Sequence, residues 1–340
     1  MKLLASRDEG SGGAQLARRS PMALIAVVAT LMTANAGAGD LRHSIPELKP
    51  VAKVHLGKTA DWVAIAGGSV WVGTTEPNGV SQIDPETNTV VGSVRLPGNP
   101  CAGLAAGFGG LWVPLCARPN SLARVDLKTR AIMLVPHLGP AAKEGGITTS
   151  ADSVWLVTDG RATLARIDPG TLRVRQRIRV PRGSHNPLYS EGRIWISRSA
   201  GAEVNVIRAD TGLLSAKVPT GPKPRFLAGG GGSVWTLNQG DGSLTRIDAG
   251  SALPLGSTRL KTPGPGGDIA VANGIVWTTM VKMPLSATDG NTGKVLCQFT
   301  GPGGDSLGVG GNAIWLTDYA AGDVYRYDLD DVMRRCQSDQ

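Results

Sequence analysis

The chain has 340 residues, with 35 Lys and Arg against 27 Asp and Glu, a formal net charge of +8, 47 glycines and four cysteines. Abundant Gly with few aromatics apart from Trp suits many short strands joined by tight turns and argues against a helix-rich core. The Lys and Arg are dispersed rather than blocked, which favours a solvated basic surface and leaves nucleic acid a weak case.

Residues 1–38 differ from the rest. A polar stretch ending in Arg18-Arg19 precedes an apolar run over 21–32 and then small residues up to Ala38. This predicts a secretory signal cleaved after Ala36 or Ala38, too short in its apolar part to span a bilayer. The arginine pair leaves the general and twin-arginine export routes both open. Cleavage removes Lys2, Arg7, Arg18 and Arg19 against Asp8 and Glu9, so the mature charge falls from +8 to +6. A periplasmic or secreted protein without a membrane span is expected. Residues 39–49 read as a leader, 50–330 as one repeat array and 331–340 as a C-terminal tail.

The array is marked by Trp71, Trp112, Trp155, Trp195, Trp235, Trp277 and Trp315, at intervals of 41, 43, 40, 40, 42 and 38 residues. A period near 40 means one supersecondary unit per repeat. Each unit carries a short segment before the Trp, the Trp strand, a strand ending near Asp, a turn, and a strand rich in Val, Leu, Arg or Lys. Unit 1 runs DWVAIAG, SVWVGT, GVSQID, then DPETN and TVVGSVRL. Alternating apolar and polar residues between turn residues predict four antiparallel strands. The fold class is therefore all-β, a seven-bladed propeller of four-stranded blades. Residues 50–56 read as the fourth strand of the seventh blade, placed before unit 1 and closing the ring.

The tryptophans read as inter-blade packing. The aspartates at Asp126, Asp168, Asp248 and Asp289 read as turn residues that accept backbone hydrogen bonds. Arg124, Arg166 and Arg246, two positions before the first three of these, and Arg326, two before Asp328, are expected to ion-pair with neighbouring units. Cys101 and Cys116 flank the turn at 108–110 and are expected to form a disulfide. Cys297 and Cys336 would tie the tail to an outer strand of the preceding repeat.

With the strand before each Trp innermost, its start and the end of the Trp strand share one rim of the channel. About ten positions before each Trp stand Asp61, Cys101, Glu144, His185, Arg225, Asp268 and Asp305. About four after it stand Thr75 or Glu76, Cys116, Asp159, Arg198, Gln239, Lys282 and Tyr319, with Asp318 adjacent. These residues differ from blade to blade, as a site built once would. His185 is the ring's one histidine, a candidate general base that Asp159 or Glu144 would orient while Arg198 or Arg225 holds an anionic group. Asp61, Asp268 and Asp305 are candidate ligands for Mg²⁺ or Ca²⁺. Trp62 and Phe226 would stack on a flat or sugar-like ligand. No nucleophile elbow and no phosphate-cradling Gly loop is present.

The combination Gly-x-x-Trp-Val, as at Gly68–Val72, with Arg-Ile-Asp-Pro-x-Thr at Arg166–Thr171 and a following Val-rich strand, resembles the exported propellers of the streptogramin (virginiamycin B) lyase-like and YVTN-repeat groups. The resemblance covers residues 50–330. It implies a divalent cation assisting two histidines at the inner-strand starts of consecutive blades, with a glutamate on the second. His185 matches the first histidine, whereas Arg225 and Gln239 occupy the other two positions. The sequence therefore favours a monomeric propeller whose polar rim, including Gln239 and Lys282, binds a small polar molecule, a glycan or a protein. The alternative is a lyase- or hydrolase-type enzyme with His185 as base.

Overall fold

A computed structural model describes residues 41–159 and 162–337. The signal segment lies outside the described residues. The rest forms seven four-stranded antiparallel sheets, one per tryptophan. Blade 1 runs Thr59–Ala66, Ser69–Thr75, Gly79–Asp84 and Thr89–Arg95 from channel to periphery, and the other blades repeat that order. Each inner strand packs on the next around the channel, and Leu307–Gly310 of blade 7 meets Thr59–Ala66 of blade 1. Ala52–His55 pairs antiparallel with Asp323–Arg326 as the outermost strand of blade 7.

The tryptophans are all 1% exposed or less. Each sits in a cluster with the core strands of the next blade. Trp112 packs with Val154 and Leu156, Trp155 with Ile194 and Ile196, and Trp195 with Val234. The series closes with Trp315 against Val70, Val72 and Ile83 of blade 1. Burying an indole removes 150–250 Å² from water, worth about 4–6 kcal/mol per interface. Several indole N–H groups donate to the strand end five residues back, as Trp112 Nε1 does to the Gly107 carbonyl at 3.1 Å.

The repeated arginines behave differently from the inter-unit ion pairs expected. Arg124, Arg166, Arg246 and Arg326 stand directly opposite Trp112, Trp155, Trp235 and Trp315 on the adjacent strand. Their guanidinium carbons lie 5.2–5.9 Å from those ring centres. Each therefore caps its own blade's indole in a cation–π contact; Arg166 ion-pairs with Asp152 of its own blade at 2.7 Å, and Arg326 reaches Asn88 Oδ1 of blade 1 at 2.8 Å. The turn aspartates act as read: Asp168 Oδ1 accepts the Gly170 and Thr171 amides at 2.9 and 2.8 Å.

Both disulfides are formed, Cys101–Cys116 within blade 2 and Cys297–Cys336 between the outer strand of blade 6 and the C-terminus. The segment read as a tail begins in a helix, Leu329–Gln337, whose Val332 and Cys336 are buried. The leader adds a fifth, parallel strand to blade 6, where Arg42–Ser44 pairs with Gln298–Thr300.

Trp155→Ala and Trp195→Ala are each expected to cost about 3–5 kcal/mol in urea denaturation, because both indoles are fully buried among apolar side chains and their removal leaves a cavity. A loss below about 1 kcal/mol at either site would contradict the interlocking role of the tryptophans.

Candidate functional site

The blade repeat breaks at one rim. The inner strand of blade 1 slips register between Asp61 and Val63, leaving Trp62 as an extra residue with φ 57°. Blade 4 slips between Ser184 and Pro187, and blade 5 between Pro224 and Phe226. Blade 2 loses pairing between Asn99–Pro100 and Ala105–Gly107. Bulges of this kind re-aim side chains at the edge of a sheet. Here they turn Trp62 into the channel. Gly73 stands opposite the bulge, where a Cβ would come 2.9 Å from the Asp61 carbonyl oxygen and 3.7 Å from Trp62 Cδ1.

Trp62 of blade 1 reaches Phe226 of blade 5, with ring centres 6.2 Å apart and planes inclined by 52°. Both are 5% exposed, and they join a cluster with Leu237 and Ile269. Trp62 is a wall of two cavities. One, of about 350 Å³, opens at the rim and is lined by Asp61, Asn99, Cys101, Glu144, Asp305 and Tyr319, among others. The other, of about 390 Å³, lies along the inner strands and is lined by Leu104, Asn186, Phe226, Asp268 and Ser306 among others.

The rim cavity is acidic. Burial and then the Asp305 charge push the Asp61 carboxyl well above its usual range, with Asp268 and Glu144 adding to the rise. Asp305 is raised by burial and by Glu144, although the Gly267 amide donates to its Oδ1 at 3.3 Å. Asp268 is pushed up to about 6 by burial, against the pull of Ser306, Ile269 and Leu307 as donors. Its Oδ2 accepts Ser306 Oγ–H at 2.6 Å, and that same Oγ accepts the Val63 amide at 3.0 Å. Blades 1, 7 and 6 are thus joined by one relay, and the Asp268 carboxylate is spent within it. Among the described residues no three Asp, Glu, His or Cys side chains are placed to share a metal ion.

The basic half of the ring is organised otherwise. Arg225 extends past blade 4 to the loop before blade 3, donating from Nη2 to the Lys143 carbonyl at 2.7 Å and lying 3.6 Å from Glu144 Oε2. Arg198 pairs with Glu203 on its own blade at 3.1 Å. Each guanidinium thus already has a carboxylate partner. His185 is half-buried, its Nδ1 is buried without a partner, and burial followed by the Arg225 charge lowers its pKa to about 4. It is neutral at pH 7, beside a cation. Asp159 is exposed at the end of the Trp strand of blade 3. Gln239 Nε2 donates to the Gly266 carbonyl at 2.9 Å and braces a loop of the rim cavity, while Lys282 is exposed beside Val281.

The rim ruler thus brings Asp61, Glu144 and Asp305 into one cavity and leaves His185, Asp159, Arg198, Gln239 and Lys282 outside its lining. It does not reach Lys143, which lines it from the loop before blade 3, or Asn99, which lines it from the short strand Asn99–Pro100. Lys143 is adjacent to Glu144 in sequence, a signal that was available.

No family model matches the chain, and no curated protein does. Among solved structures it is similar to BamB from Moraxella catarrhalis, with a TM-score of 0.59 at 11% identity over 83% of this chain and 99% of that one. That likeness is one of fold. No helix among the described residues is long and apolar enough to cross a membrane.

A carboxylate raised in the folded state favours folding most when protonated, and that stability is lost as pH rises from the unfolded value near 4 through the folded one. Asp61→Asn keeps an acceptor for the Trp62 amide, which bonds to Asp61 Oδ1 at 2.7 Å, and removes the charge. The variant is expected to melt higher than the parent at pH 8 and level with it at pH 4, measured by differential scanning calorimetry. An equal offset at both pH values would show that charge is not the cause.

Proposed function

We propose that this is an exported binding propeller whose acidic channel rim recognises a polar ligand or a protein partner, without performing chemistry on it. The observation that carries the reading is the convergence of Asp61, Glu144 and Asp305, from three blades, on one cavity backed by Trp62. A polar cavity with a rigid aromatic wall is the usual build of a recognition site. The similarity to BamB supports a propeller scaffold and nothing finer. Two disulfides suit an oxidising compartment, in keeping with export.

A lyase-type reading rests on His185, and its surroundings favour binding instead. A general base works best with a pKa near the operating pH and a partner that orients it. His185 is held near 4 with Arg225 as its charged neighbour. The second histidine and the carboxylate of the lyase pattern are Arg225 and Gln239, and both are engaged with backbone carbonyls.

The test is a thermal-shift and calorimetric screen of the mature protein against cationic, neutral and anionic polar compounds, run beside turnover assays on lactones with and without Mg²⁺. A ligand at 100 times its Kd stabilises by about 2.7 kcal/mol. Saturable binding that Asp61→Asn weakens and the remote Asp152→Asn leaves intact is expected, with no turnover. Lactone cleavage abolished by His185→Ala would overturn the reading.

A further inference from the structure

The rim cavity is short of partners in a specific way. Asp61 and Asp305 each accept one backbone amide, from Trp62 and Gly267, and neither has a cationic side chain paired with it among the described residues. Asn99 Oδ1, on the same wall, is buried and accepts nothing. These groups are all acceptors. The remaining unpartnered polar atom is a donor, Trp62 Nε1, on a side chain 95% buried, since only 5% is exposed. Its orientation follows from its neighbours. The Cδ1 edge, which adjoins Nε1, faces Gly73 of the rim cavity, whereas Cε3 faces Gly103 of the inner cavity. A buried donor without a partner costs about 1–3 kcal/mol, so one beside an open cavity calls for an explanation.

Resting on the binding reading above, we infer that the rim cavity takes an organic cation rich in N–H donors, an ammonium or guanidinium group, with a hydrogen-bond acceptor beside it that meets Trp62 Nε1–H. The carboxylates are spread over a volume of about 350 Å³ and do not converge three at a time on a point that a metal ion would occupy. That separation suits a polyatomic cation with donors pointing several ways. Tyr319, 47% exposed at the mouth, offers a ring face for the same charge. Lys143 at the mouth and Arg225 beside Glu144 are the competing cations. The net potential remains acidic because Asp61, Asp305 and, behind Trp62, Asp268 have no positive partner.

The probes are glucosamine, which carries an ammonium beside hydroxyl acceptors, agmatine, which has guanidinium and ammonium donors but no acceptor, and neutral N-acetylglucosamine, each titrated calorimetrically at pH 7.5. Glucosamine and agmatine are expected to bind at least tenfold more tightly than N-acetylglucosamine. Asp61→Asn and Asp305→Asn should each weaken both amines about tenfold, while Trp62→Phe weakens glucosamine selectively. Affinity for both should fall on acidification from pH 7.5 to 5, as Asp268 behind Trp62, pushed up to about 6, takes up its proton and the Asp61 and Asp305 carboxyls, raised by burial, protonate above the usual carboxylate range. Equal binding of N-acetylglucosamine, Ca²⁺ or Mg²⁺ binding that Asp61→Asn abolishes while the amines fail, or amine affinity indifferent to both Asp substitutions would each overturn the inference. The first two outcomes would leave the rim as a binding site for another class, so they are distinct from the lactone turnover that would overturn the binding reading itself.

Discussion

Everything in this molecule depends on each blade burying its tryptophan in the next one. A four-stranded blade cannot cover both of its faces alone, and the indole is the largest side chain available to fill the wedge between two blades. A cation–π cap reinforces the wedge in four of the seven blades. An arginine directly across the strand shields the outer edge of the indole in four blades, and its aliphatic stem covers apolar surface while its head stays near solvent. Gln82, Val206 and Ala287 stand opposite the other three tryptophans, so the cap reinforces the interface without being its cause.

A ring held so regularly leaves little freedom for function within the blades. The inner strands of neighbouring blades are packed side by side, and a substitution at a Trp position disturbs two blades at once. Variation is tolerated where the inner strands begin, because there the backbone leaves the ladder and its polar groups are met by side chains and loops instead. Asn186 Nδ2 and Ser197 Oγ both donate to the Arg225 carbonyl, at 2.7 and 2.6 Å, replacing ladder bonds that the bulge in blade 5 removes. The Trp62 bulge is the departure that carries an aromatic side chain at positive φ. A tryptophan with positive φ is a costly backbone choice, and it places an aromatic wall across the channel that a regular strand would not supply.

The blades were legible in the sequence because a seven-fold period repeats the same steric demand, so each tryptophan confirms the others. The rim was legible in part. Counting back from Trp71, Trp155 and Trp315 does reach Asp61, Glu144 and Asp305, and those three share a cavity. The same count reaches His185 but cannot tell that Arg225 would cross over blade 4 toward Glu144, since that contact joins residues 81 positions apart and has no periodic signature. Bulges defeat the ruler for a related reason: one extra residue moves every following side chain to the other face. Trp62 was visible as a tryptophan out of register, yet its role as a partition depended on a register slip that leaves no mark in composition.

The charge of the site shows most clearly how far totals mislead. A chain with a net charge of +8 suggests an anionic partner, but the potential inside a concave site is set by the few charges that lack partners there. The arginines of the rim are neutralised by Glu144 and Glu203. Many others lie on outer strands in contact with water, such as Arg175, Arg177 and Arg179 of blade 3, and solvent screens them over about 8–10 Å. Asp61 and Asp305 are crowded by protein and by each other, so their repulsion is not screened in the same way. Desolvation raises the cost of each charge and also strengthens the attraction of a cation that relieves it. The same burial that makes these carboxylates unfavourable in the empty cavity is therefore what would make the cavity selective, and the rigid ring of tryptophans keeps them from relaxing apart.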